Sequence, residues 1–435
     1  MNISIDLHEW QKASFTTHEQ LAGLVLPEDA ATQQVIQRLS DDGKLTIIQH
    51  YRGVSLDTSS YVGRIMLGDV QITIRPKIEA MPLLQLVQYA YGLRQLKIFS
   101  SVNFDTEAFA FQDLLIHQLA LEINELLMRG LQRHYVRRDE QLTVPRGRIS
   151  MQKIANQGGI IQAALPCTHY LRIEDNLLNQ ILLQGLRLGT QLTNDDGLRM
   201  KLQYLEHFHF ADISSIRLSK QLLDRVSRTI NRLTANYQPA ITVIEMLFAA
   251  SGISMDEPQQ AFRLPGFLFD MNLFFQNLLA RFLTEHLPEY EVREQFRLET
   301  TMTYVNNPQK RKAPELRPDY IIKRNGTIVA ILDAKYRDLW QETLPPGMLY
   351  QLVMYALGQD VCNSVTILYP ATTPLAKDAR IEVRIPGYNE GRVYVVLRPV
   401  NLLQMTILLQ EGREKDNMRA RCDFASALLA PQHAI

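Results

Sequence analysis

The chain has 435 residues, with 46 basic and 46 acidic side chains, so its formal net charge is zero. That length exceeds one ordinary domain, and a composition of 46% hydrophobic and 21% charged residues excludes a disordered chain. The zero total excludes a protein that holds nucleic acid by bulk positive charge, but not one with local basic patches. No run of about 18 apolar residues exists, so no membrane-spanning helix is expected. Residues 1–10 carry Asp6 and Glu9 without a basic-then-apolar pattern, which points to a cytoplasmic protein. Cys167, Cys362 and Cys422 are widely spaced, and this suggests reduced thiols rather than a disulfide framework or a thiolate zinc site.

In chain order, short alternating runs at 3–7, 45–51, 64–67 and 70–74 predict strands and hairpins, flanked by helices at 28–39 and 83–91. Residues 106–262 are mostly helical by spacing, as in Leu114, Leu115, Leu119 and Ile123, then Leu177, Leu178, Ile181 and Leu182, then Leu222, Leu223 and Val226. A polar, extended segment at 137–159 interrupts them. From 263 the pattern alternates again. An amphipathic helix at 267–287 is followed by strand-like runs, a helix at 348–357, strands at 365–368, 381–385 and 393–397, and a helix at 402–411. The expected fold class is α+β with several domains: a β-rich amino-terminal domain at 1–105, a helical middle at 106–262, an α/β domain with a central mixed sheet flanked by helices at 263–415, and a short appendage at 416–435.

The neutral total conceals two basic stretches. Residues 129–153 carry seven basic side chains, Arg146 and Arg148 among them, against two acidic ones. Residues 307–337 carry eight, including Lys310, Arg311 and Lys312, against three. Either stretch could face phosphate.

The second stretch also holds the sharpest chemical signal: Pro318-Asp319, then an apolar run, Asn325-Gly326, a second apolar run, and Asp333-Ala334-Lys335. Asn-Gly between apolar runs is a hairpin signal. A tight two-residue loop alone puts Asp319 and Asp333 on opposite faces. A three-residue loop, or an equivalent bulge, puts Asp319 on the side of Ile331, Asp333 and Lys335, because alternate residues share a face. We expect the second arrangement, with 328–332 as a central buried strand. Two buried carboxylates beside an ammonium suit a hard divalent cation, Mg²⁺ or Mn²⁺, which can activate water against a phosphodiester. Other motifs are weaker. Asp42-Gly43-Lys44 reads as a plain turn, His207 and His209 as surface or packed residues rather than metal ligands, and no GxxxxGK[ST] loop is present.

This hairpin resembles the PD-(D/E)xK nuclease motif, and Gln351 with Tyr355 resembles the Gln-x-x-x-Tyr element of its exonuclease-type members. Ile74-Arg75-Pro76-Lys77-Ile78, Arg146-Gly147-Arg148-Ile149, Asp175-Asn176-Leu177-Leu178-Asn179 and Phe269-Asp270-Met271-Asn272-Leu273-Phe274 extend the likeness. Together they resemble the McrC family, the nuclease subunit of McrBC restriction systems. The resemblance implies catalytic Asp319, Asp333 and Lys335, and a metal held by Asp319, Asp333 and the Ala334 carbonyl. It also implies binding to McrB, an AAA+ GTPase, through the amino-terminal part, where Arg75 and Lys77 are candidates. The implied substrate is double-stranded DNA containing modified cytosine. Many members carry an acidic residue where this chain has Gln276, which leaves Asp270 as the candidate third carboxylate or, alternatively, a helix-start charge. Two other functions fit the residues: a non-catalytic activator of the motor, and a stand-alone nuclease acting on DNA ends.

Overall fold

The computed structural model describes residues 3–94, 111–156, 163–251, 266–298, 302, 304–313, 315–358, 363–384, 392–410 and 415–429. Cys362 and the sequence boundaries at 105/106 and 262/263 lie outside the described residues. By internal contacts the chain forms two compact units, residues 1–110 with 268–435, and residues 111–267.

The first unit begins with β1 (Ile3–His8), β2 (Lys12–Ala13), α1 (Ala30–Asp41), β3 (Leu45–His50), β4 (Gly53–Thr58), β5 (Tyr61–Leu67), β6 (Val70–Arg75) and α2 (Ala80–Tyr91). The alternation read from the sequence is met here, since Val70, Ile72 and Ile74 of β6 are buried while their neighbours are not. β5 and β6 form a hairpin in which Leu67 pairs with Val70, and β1 lies parallel to β6. α1 starts at Asp29, whose carboxylate accepts from the Thr32 amide.

The second unit contains α3 (Phe111–Arg129), β7 (His134–Leu142), β8 (Arg148–Ile149), α4 (Met151–Asn156), β9 (Leu165–Ile173), α5 (Leu177–Leu192), α6 (Asp196–His209), α7 (Lys220–Thr229) and α8 (Gln238–Ala250). Leu119, Ile181, Leu182, Ile241 and Ile244 are fully buried among α3, α5 and α8. The polar segment after residue 133 contributes β7 and β8 to a three-stranded antiparallel sheet with β9. The Asp175–Asn179 motif is structural here. Asn176 caps α5, and buried Asn179 accepts from the Tyr237 hydroxyl and donates to the carbonyls of Gln132 and Glu174.

The first unit resumes within β10 (Gly266–Asp270), at Leu268, and continues with α9 (Met271–His286), β11 (Glu291–Glu294), β12 (Tyr320–Arg324), β13 (Thr327–Ala334), α10 (Pro346–Leu357), β14 (Ser364–Ala371), β15 (Ala379–Arg384), β16 (Arg392–Asn401), α11 (Leu402–Gln410) and α12 (Lys415–Leu429). The helix expected at 267–287 is split. Its first residues are β10, which lies beside β5, and the helix starts only after Asp270. An apolar run such as Phe267-Leu268-Phe269 satisfies either period, and the cap decides it. β11 to β16 form a mixed six-stranded sheet in the order β11-β12-β13-β14-β16-β15. β13, β14 and β16 run parallel, and the other neighbours antiparallel. One face packs Ile321, Ile331, Val365, Ile367, Val393 and Val395 against Leu352, Tyr355 and Ala356 of α10. β13 is interior in the sheet, but its first half is open, with Val329 43% exposed, so only Ala330–Ala334 meets the expectation of a buried strand. The carboxy-terminal residues form α12, which packs on α9 and α11 and buries Ala425 and Leu428. No helix among the described residues is long and apolar enough to cross a membrane.

Candidate active site

The hairpin settles the register question. Asn325 and Gly326 both have positive φ, 51° and 81°, and Arg324 pairs directly with Thr327. This is the tight turn that Asn-Gly favours. The register then shifts by one: Lys323 pairs with Ile328, and Ile322 with Ala330. Val329 is the extra residue of this bulge. The two-residue loop and the bulge together therefore do what a three-residue loop would have done. Ile321 and Ile331 face the same core, and Asp319 joins Asp333 and Lys335 on that side.

Asp319 and Asp333 are 7% and 1% exposed. Lys335 Nζ lies 2.8 Å from Asp333 Oδ2 and 4.0 Å from Asp319 Oδ2. The Ala334 amide donates to Asp319 Oδ2 at 2.9 Å, and Gln295 Nε2 donates to Asp319 Oδ1 at 3.0 Å. Burial pushes the Asp333 carboxyl up to about 6. Lys335 opposes that rise and Asp319 adds to it. Burial alone pulls the Lys335 ammonium down, but Asp333 and then Asp319 outweigh it, and its pKa is raised.

Gln276 of α9 aims its amide at both oxygens of Asp319, at 3.3 Å each. Gln276 thus reaches the site as a neutral donor. Asp270 has another task. It caps α9, accepting from the amides of Asn272 and Leu273, and takes the Tyr61 hydroxyl at 3.1 Å. Gln351 Nε2 donates to the Tyr355 hydroxyl at 2.6 Å, which in turn donates to the Arg317 carbonyl at 3.0 Å, two residues before Asp319. Burial, then the Asp333 charge, raises the Tyr355 pKa, so the ring is electrically close to the cluster. Lys310, Arg311 and Lys312 are exposed on the segment before β12. Arg146 and Arg148 are exposed in the other unit, and Arg75 and Lys77 are exposed after β6. His207 and His209 are exposed on α6. Sequence reasoning noted Gln276 only as a missing acid and missed Gln295 altogether, because an amide carries no motif and both reach Asp319 through tertiary packing.

The donor set fits a hard cation. No group of three or more His, Cys, Asp or Glu side chains able to hold a metal occurs among the described residues. Two buried carboxylates do converge, however. Asp333 Oδ2 is buried and has no directed hydrogen-bond donor, although the Lys335 ammonium is 2.8 Å away. An anionic oxygen held this way has lone pairs available to a metal.

A family model described as "McrBC 5-methylcytosine restriction system component" matches residues 56–370. The fold is similar to that of a chain in the refined half-complex of a tetradecameric assembly of Thermococcus gammatolerans McrB AAA+ hexamers with bound McrC. The TM-score is 0.63 and the identity 18%, covering 97% of this chain and 99% of that one. A chain in the McrBC complex of the same organism matches at 20% identity and a TM-score of 0.46, covering 67% of this chain and 89% of that one. Among curated proteins none matches. The family match spans well over half of the sequence, and on that ground the chain belongs to the family of McrBC 5-methylcytosine restriction system components.

Proposed function

We propose that this chain is the DNA endonuclease subunit of such a system: a metal-dependent phosphodiesterase that binds and stimulates a McrB-like AAA+ GTPase and cuts double-stranded DNA containing modified cytosine. The observation that carries the reading is the convergence of Asp319, Asp333 and Lys335 at the buried end of one hairpin. Clustering such a trio away from water is costly without a task. Membership of the family and the likeness to an assembly with bound McrC support the choice of partner.

Asp319, Asp333 and the Ala334 carbonyl would hold Mg²⁺ or Mn²⁺. When bound, the cation supplies positive charge at the scissile phosphate and a more acidic water. The protein's own part follows from its geometry. Gln276, Gln295 and the Ala334 amide orient Asp319 by donating to it. Lys335, with its pKa raised, keeps its proton at neutral pH. It is thus placed as a cation that can orient the attacking water or offset charge on the phosphate. Lys310, Arg311 and Lys312 offer phosphate contacts from the same unit.

The test mixes the chain with its AAA+ partner, GTP, Mg²⁺ and methylated or unmethylated DNA. We expect Asp333→Ala and Lys335→Ala to lower cleavage by roughly a hundredfold or more. Unchanged cutting by both variants removes the catalytic assignment. Degradation of linear DNA ends by the chain alone favours the stand-alone nuclease, for which the Gln351–Tyr355 pair speaks. A wild-type chain that never cuts yet raises the partner's GTP hydrolysis is an activator only.

A further inference from the structure

Lys335 is followed by Tyr336, which is 4% exposed and sits one residue beyond the amide that β14 holds. All three polar groups of Tyr336 are engaged. Its hydroxyl donates to Glu9 Oε1 at 2.9 Å, and its carbonyl accepts from the Trp10 indole at 3.0 Å. Its amide donates to Asn272 Oδ1 at 3.3 Å, and Asn272 in turn donates to the Ser60 hydroxyl. Two of these holders, Glu9 and Trp10, lie just beyond the end of β1, more than three hundred residues away in sequence. Phe275, next to Gln276 of the site, meets the Tyr336 ring edge-on at 5.9 Å. Arg337 stacks over the Trp10 ring at 5.1 Å while pairing with Glu342.

Both holders are in unfavourable states. Trp10 has φ 57°, a left-handed conformation that a bulky residue rarely adopts, and is tied there by its own amide donating to the Ser59 carbonyl at 3.2 Å. Glu9 is 1% exposed, with Oε1 shared between Tyr336 and the Lys77 amide and Oε2 buried without a hydrogen-bond partner. Burial raises its pKa to about 7. Strain and buried charge of this kind persist only where surrounding structure over-determines them, and they gather at functional positions.

On the reading that Lys335 serves DNA cleavage, we infer that Glu9 and Trp10 are positioning residues for the nuclease. They clamp Tyr336 by its hydroxyl and carbonyl and so fix the backbone from which Lys335 reaches Asp333 and Asp319. The Lys335 amide is already held from the other side by the Leu368 carbonyl of β14, at 2.9 Å. The clamp is the second restraint, and it couples the amino-terminal strands to the cutting chemistry. Arg75 and Lys77 flank the same junction. The Glu9 amide donates to the Arg75 carbonyl at 3.0 Å, and the Lys77 amide to Glu9 Oε1 at 2.8 Å. Whatever engages this edge can reach Lys335 through Glu9 and Tyr336.

The full chain is assayed with its AAA+ partner, GTP, Mg²⁺ and methylated DNA. Tyr336→Phe keeps the ring and removes the hydroxyl. We expect its kcat to fall by about tenfold or more, with KM for DNA within about twofold and the melting midpoint nearly unchanged. Glu9→Ala falls likewise, and Glu9→Gln, which restores an acceptor for Tyr336 and Lys77, recovers most of the missing rate. Trp10→Phe, lacking the indole donor, lowers kcat alone. Wild-type cutting by Tyr336→Phe while Asp333→Ala is inactive overturns the inference and leaves the nuclease reading standing. So does a loss of rate that tracks a fall in melting midpoint across the four variants. A wild-type chain that does not cut overturns both.

Discussion

Glu9 carries a consequence for stability that is separable from cleavage. Its folded pKa is raised from 4.5 to about 7. Between those values the folded chain binds more protons than the unfolded one, so stability declines as pH rises through that window. The contribution is fully present below about 4.5 and lost above about 7, and is on the order of 3 kcal/mol. Glu9→Gln removes the titration. Thermal unfolding of the variant and the wild type at pH 5 and pH 8 should show the variant gaining relative stability at the higher pH. Gln276 gives a second prediction. Gln276→Glu places a third carboxylate at Asp319, which should cost about 1–2 kcal/mol in metal-free buffer through like-charge repulsion. Added Mg²⁺ should raise the variant's melting midpoint more than the wild type's. At this scale the sequence was informative about Asp319, Asp333 and Lys335, because a hairpin at known spacing places them together. It marked Gln276 only as a missing acid, and it was silent on Gln295, Glu9 and Trp10, whose partners are set by packing between distant segments. Asp270 was ambiguous, and the two backbone amides it accepts show the helix cap.

Among the elements, the β12–β13 hairpin shows how one residue sets a face. Val329 is half-exposed and adds little to the core, yet it shifts the strand by one position. Its deletion should restore a simple two-residue hairpin and turn Asp333 and Lys335 away from Asp319. We expect a deletion variant that still unfolds cooperatively in calorimetry but has no detectable cleavage. The need for the shift was legible in the positions of the two aspartates. Its form was not, because Asn-Gly dictates a tight turn and the correction moved into the strand. The division of 266–286 into β10 and α9 was hidden for a related reason. Phe267, Leu268 and Phe269 are all buried, so no amphipathic period distinguishes strand from helix there.

For the whole molecule, the mixed α+β architecture could be read from changes in hydrophobic period along the chain, but the grouping of residues 1–110 with 268–435 could not. Periodicity is local, and that grouping rests on pairings such as β10 beside β5 and Tyr336 against Glu9. The zero net charge predicts weak binding of DNA by the isolated chain. Replacing Lys310, Arg311 and Lys312 with alanine should reduce the log–log salt slope by up to about 3, roughly 0.9 for each phosphate that is no longer neutralised. A slope unchanged in a titration of the triple variant removes those residues from the DNA path.

The discontinuity of the first unit has a further effect, on synthesis. Glu9 leaves the ribosome 327 residues before its partner Tyr336. At roughly 5–20 residues per second, that is a wait of about 15–65 s. From the synthesis of β5 until β10 follows at residue 266, the edge of β5 that β10 will cover is open, and an uncovered strand edge invites pairing with other chains. The second unit is complete before Tyr336 is made, because its contacts lie within residues 111–267. Translation therefore delivers a finished insert inside an unfinished host. Nascent chains stalled before β10 should be the aggregation-prone, chaperone-dependent species, and those stalled beyond α12 should not.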